Sequence, residues 1–205
     1  MAKSGLRRQI VTLAPDRLDL APTPNAWLEA VLADFPSFLQ DHASCEKKAS
    51  GMALSVASHY PDRPELLSAM ADLAVEELTH YREVVRLLIA RGLQPSADAK
   101  DDYVRGFNAV IRKGPAEYLL DRLLVAAVIE ARGHERFGLI AKALPSGADQ
   151  RFYQAITASE GRHWQLFIQL ALAETDSAQV LPRLEELVAI EAELIAAQPP
   201  RPRLH

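Results

Sequence analysis

The chain has 205 residues, 49% of them apolar and 24% charged, and a formal net charge of −4. That balance suits one globular domain with a sizeable core and excludes a disordered chain. No apolar run approaches the roughly 18 residues that cross a bilayer, the strongly basic total that would argue directly for nucleic acid is absent, and the lone Cys45 permits neither an internal disulfide nor a four-thiolate metal centre.

The opening stretch MAKSGLRRQIVTLAPDRLDL lacks the clean apolar core of a signal peptide, so the expected compartment is the cytoplasm. Residues 1–22 read as an extended N-terminal segment. Thr23-Pro24 then gives a helix start, Thr as cap and Pro at the first helical position, for a short helix through NAWLEAVLADF that breaks before Pro36. A first long helix is predicted over about 36–59, ending at YPDRP, and a second over about 64–91, stopping at Gly92. Residues 93–114 form a longer connection with a short helix in DDYVRGFNAVIRK. The third long helix spans about 115–143, LPSGAD closes it, and the fourth covers about 148–174. Asp176 and Gln179 resemble a capping box for a last helix to about Ala197, and residues 198–205 read as a loose tail. No segment has strand alternation. Four long helices with short, long, short connections predict an all-α bundle with one crossover and additional N- and C-terminal helices, in a single domain 1–205.

Polar residues interrupt the apolar faces of these helices. In the second, Leu66, Met70 and Leu73 lead to Glu77 and His80, then to Val84 and Leu87, at helical spacing. The fourth repeats this with Tyr153, Ile156, Glu160, His163, Phe167 and Leu170. The helix before each carries one Glu on its stripe: Glu46 in the first, Glu130 in the third. Glu46 and Glu77 stand 31 residues apart, Glu130 and Glu160 stand 30 apart, so two helical hairpins repeat one pattern. An ionised carboxylate in an apolar interior costs several kcal/mol unless paired. No Lys or Arg shares these stripes, and cations would neutralise them. Glu and His three apart on a helix reach the same site. Four Glu and two His form the ligand set of carboxylate-bridged di-iron or di-manganese bundles, and mixed oxygen and nitrogen donors suit those metals better than copper(I) or structural zinc. The expected metal ligands are therefore Glu46, Glu77, His80, Glu130, Glu160 and His163. His42 and His134, each one turn from a ligand, are candidates to hold those ligands by hydrogen bonds. Glu76 and Glu135 read as solvated flanks, Tyr81 and Tyr153 as core aromatics, and Cys45 has no role. Lys47, Lys48, Arg105, Arg112, Lys113, Arg132, Arg136, Arg201 and Arg203 are candidate phosphate contacts.

The segments DHASCEKKASGMAL, EELTHYREV, VIEARGHERF and ASEGRHW resemble the tRNA 2-methylthio-N6-isopentenyladenosine hydroxylases, a family within the ferritin-like di-iron proteins. The resemblance runs from TPNAWL to about Ala173, and all six ligand positions agree with it. It implies a di-iron, O2-dependent monooxygenase that hydroxylates the isopentenyl side chain of the modified adenosine beside the tRNA anticodon. It further implies two iron ions, O2 as co-substrate, and an external electron donor such as a reductase or ferredoxin-like protein, since the chain has no nicotinamide or flavin fingerprint. The competing readings are a ferroxidase or iron-binding protein, a di-iron hydroxylase of another substrate such as a quinone, and a di-manganese site.

Overall fold

The computed structural model describes residues 17–205. Among these residues there are seven helices and no strand: α1 (Asn25–Ala33), α2 (Phe35–His59), α3 (Pro64–Ala90), α4 (Asp102–Val110), α5 (Pro115–Ala143), α6 (Ala148–Glu174) and α7 (Ser177–Ala196). Every helix expected from the sequence is present. Residues 17–24 are irregular, and the rest of the expected extended segment lies outside the described residues. No helix among the described residues is long and apolar enough to cross a membrane.

The chain divides into two compact units. The first holds α1, α2, α3 and the segment Pro200–Leu204. Asp34 starts α2 by accepting the Ser37 N–H at 3.1 Å, with Pro36 inside the first turn, where its missing N–H costs nothing. Gly92 ends α3. Its φ of +70° is open to glycine without a Cβ clash, and it lets Leu93 N–H reach the Leu88 carbonyl at 3.0 Å while its own N–H reaches Ile89 at 2.9 Å. The apolar stripes of α2 and α3 bury Phe38, Leu39, Val56, Leu66, Met70, Val84 and Leu88 completely or nearly so, each contributing about 1.5–3 kcal/mol of hydrophobic stabilisation. Residues 200–204 are not loose as expected. The Trp27 indole N–H donates to the Arg203 carbonyl at 2.8 Å, Leu204 N–H donates to Asp41 at 2.8 Å, and the Leu204 side chain is buried.

The second unit comprises the chain up to Thr23, residues 101–199 and His205, and so holds α4 to α7. Helix α5 packs on α6 and on α7, and 17 of its 29 residues are buried, which is why its sequence is apolar on more than one face. Two polar knots sit in this unit. Asp121, fully buried, accepts from Arg112 and Arg183 at 2.6–3.1 Å. Arg132, also fully buried, donates to Glu191 at 2.7 and 2.8 Å, to the Ala21 carbonyl at 2.8 Å and to the Thr23 hydroxyl at 3.0 Å. The Tyr103 hydroxyl donates to the same Glu191 at 3.1 Å. A buried ion pair survives only when its remaining donors and acceptors are filled in this way.

These contacts correct four expectations. Thr23 does not cap α1; Pro24 occupies that position, and the Thr23 N–H and hydroxyl both donate to Glu135, at 2.8 and 2.6 Å. Glu135 is consequently no solvated flank, and it also pairs with Arg132. Arg132 and Arg136 are buried rather than available to phosphate. Arg112 is committed to Asp121 and Glu117.

Candidate metal centre

Each unit brings one carboxylate and one Glu-x-x-His together. In the first, α2 supplies Glu46 and α3 supplies Glu77 and His80, one ligand atom from each lying within 4.8 Å of the others. All three are buried, at 4%, 1% and 8% exposure. His80 Nδ1 points inward, 3.2 Å from Glu77 Oε2 and 3.6 Å from Glu46 Oε2. In the second unit α5 supplies Glu130 and α6 supplies Glu160 and His163, again with ligand atoms within 4.8 Å and all three buried. His163 Nδ1 is 3.8 Å from Glu130 Oε2 and 3.9 Å from Glu160 Oε1. In both motifs the i, i+3 spacing sets Glu and His on one side of the helix, and the matching hairpin helix delivers the second carboxylate.

The electrostatics of the first triad favour cations. Burial alone would raise the Glu46 carboxyl, but hydrogen bonds from His42 and His80 hold it well below the usual carboxylate range. Burial alone would lower His80, yet Glu46 and Glu77 push its imidazole up to about 10. The two carboxylates thus make this buried cluster strongly attractive to positive charge. Buried oxygen and imidazole donors without a thiolate form a donor set that fits iron or manganese.

The two histidines expected to support ligands behave differently. His42, fully buried, lies with Nε2 2.6 Å from Glu46 Oε1 and fixes the direction of that carboxylate. His134 instead donates from Nδ1 to the Thr157 carbonyl of α6 at 2.7 Å. Gly161 makes room for that ring: a Cβ there would stand 3.1 Å from His134 Nδ1. Tyr153 is a core aromatic, fully buried and 5.8 Å from the Phe137 ring centroid. Glu76, expected as a solvated flank, and Ser159, which the sequence did not single out, both lie near the triads. Glu76 Oε1 lies 4.0 Å from His80 Nε2, and the Ser159 hydroxyl lies 3.5 Å from His163 Nε2. Their one signal is position: each immediately precedes the Glu of its motif, four residues before the His.

Residues 11–205 match the model of the tRNA-(MS2IO6A)-hydroxylase (MiaE) family. This chain belongs to that family. A relative from Pseudomonas putida, named tRNA 2-(methylsulfanyl)-N(6)-isopentenyladenosine(37) hydroxylase, is 38% identical over 90% of this chain and 89% of its own length. A protein of the same name from Salmonella typhimurium is 28% identical, covering 90% of this chain and 86% of that one. Among solved structures, a Synechococcus protein described as having aldehyde deformylating oxygenase activity superposes with a TM-score of 0.87. It is 35% identical, and the match covers 93% of this chain and 96% of that one. The fold of this MiaE-family chain is ferritin-like and, among the described residues, all-helical.

Proposed function

We propose that this chain hydroxylates the isopentenyl side chain of 2-methylthio-N6-isopentenyladenosine in tRNA, acting as one ferritin-like domain in the cytoplasm. The observation that carries the reading is the family match over residues 11–205 in a chain that places Glu and Glu-x-x-His together in each of two hairpins. Glu46, Glu77 and His80 from the first, with Glu130, Glu160 and His163 from the second, would hold two iron ions. Bound iron supplies the redox chemistry that an unactivated C–H bond demands: one oxygen atom of O2 enters that bond, and the other leaves as water with two electrons and two protons. The electrons come from an external reductase or ferredoxin-like donor.

The chain's own residues account for the rest. His42 keeps the Glu46 carboxylate oriented through its short hydrogen bond. The near-complete burial of all six side chains keeps bulk water from the donor atoms and so protects a strong oxidant from unproductive discharge.

The test is direct. Iron-loaded, reduced protein is incubated with O2, a competent reductant and tRNA bearing the methylthio-isopentenyl nucleoside, and the digested nucleosides are resolved. The hydroxylated nucleoside is the expected product, and its absence overturns the reading. A second reading, conversion of an aldehyde, is favoured by the likeness to the Synechococcus protein; a parallel incubation with an aldehyde decides between them.

A further inference from the structure

We infer that the two metal positions are chemically unequal, and that Glu76 and Ser159 make them so. This rests on the di-iron reading above. In both hairpins the His ring turns Nδ1 toward its carboxylates and Nε2 away from them. The residue four positions earlier on the same helix lies beside that outer nitrogen, 4.0 Å away as a charge pair in one case and 3.5 Å away, at the limit of a hydrogen bond, in the other. In the first hairpin that residue is a carboxylate, Glu76. In the second it is a neutral hydroxyl, Ser159, which is buried and also accepts from the Arg162 guanidinium at 3.0 Å. The outer nitrogen of His80 thus faces a negative charge, whereas that of His163 faces a hydroxyl already drawn toward a positive one.

A negative charge beside Nε2–H favours the tautomer that leaves Nδ1 free as a ligand and makes that nitrogen a better donor to the metal than a neutral hydroxyl does. Glu76 therefore gives the His80 position the tighter hold and the more electron-rich metal, while Ser159 leaves the His163 position the weaker. Glu76 and Ser159 are positioning residues, since they act on the metal through the imidazoles. Substituting hydrogen-bonded partners of this kind typically changes metal affinity 10–100-fold, and a part-exposed charge outside hydrogen-bond distance acts at the low end of that range.

Full-length apoprotein, prepared with a chelator and verified as folded by circular dichroism, is titrated calorimetrically with Co2+ and, anaerobically, with Fe2+. Wild type should bind in two resolved steps. Glu76→Gln keeps the shape and removes the charge; it should weaken the tighter step about tenfold and leave the other within threefold. Ser159→Ala should leave the tighter step unchanged. Glu76→Asp, which restores the charge, should recover part of the loss, as a purely structural role would not require. Mössbauer spectra of the 57Fe(II)-loaded wild type should show two quadrupole doublets, one of which moves in Glu76→Gln. Two metals bound with steps that Glu76→Gln leaves untouched, or shifts alike, overturn the inequality while the di-iron reading stands. Binding of no metal overturns both.

Discussion

At the scale of single residues, the proposed ligands stand out in the sequence because they contradict their surroundings. A carboxylate and an imidazole in an apolar helical stripe need a reason, and the same interruption in two hairpins supplied it. Glu77→Ala and His163→Ala should each lower bound iron, measured as the metal-to-chain ratio, and abolish hydroxylation. Unchanged iron in either variant would show that residue not to be a ligand. Glu76 and Ser159 were not legible. Both lie beside the stripe rather than on it, and Glu and Ser are ordinary residues for a helix flank; only the ring direction of His80 and His163 gives them meaning. His134 shows the converse. Its spacing from Glu130 suggested a hydrogen bond to that carboxylate, but its Nδ1 bonds the Thr157 carbonyl across the hairpin instead.

At the scale of elements, Pro and Gly marked the helix ends well because their backbone restrictions act locally. Pro64 and Pro115 open α3 and α5, and Gly92 closes α3. Caps were harder. Thr23 looked like a cap, but its hydroxyl is taken by Glu135, 112 residues away in sequence, a partner that no local pattern announces. Asp101 is the true cap of α4, accepting from Tyr103 and Val104 at 2.9 and 3.3 Å. Burial alone would raise its carboxyl, but His205 and those two N–H groups bring it down to about 2. A folded-state pKa below the unfolded value of about 4 means that the stabilisation is fully present above pH 4 and is lost as pH falls toward 2. The loss should be about 2 kcal/mol. Asp101→Asn retains an acceptor for the cap and carries no titration, so its urea-unfolding free energy should fall less between pH 6 and pH 2.5 than that of wild type. An identical fall in both proteins would refute the assignment.

At the scale of the whole molecule, fold class followed from helix lengths and connection lengths, but the polar interior of the second unit did not. Arg132 and Glu191 are 59 residues apart and lie on different helices, and nothing around either one in sequence distinguishes it from a surface charge. Their pairing joins α5 and α7, and it also holds Tyr103 of α4 and the Ala21 carbonyl. Glu191→Gln or Arg132→Met alone leaves the other charge buried and should cost about 3–5 kcal/mol in urea unfolding. Arg132→Met combined with Glu191→Leu should cost less than either single change, because no orphaned charge remains. Additive losses would mean that the two residues do not act as a pair.

The tryptophans offer a way to watch each unit by light. The chain has two, and they divide evenly: Trp27 in the first unit and Trp164 in the second, both nearly buried. Trp27 lies edge-on to Phe38, whose ring in turn lies 5.9 Å from His42, the partner of Glu46; Trp164 follows His163 directly. With Trp164→Phe, the remaining emission reports only on α1 to α3. With Trp27→Phe, it reports only on the helices around Glu130 and Glu160. Quenching by an arriving paramagnetic ion and the red shift of melting can then be recorded for either half of the proposed donor set without a label.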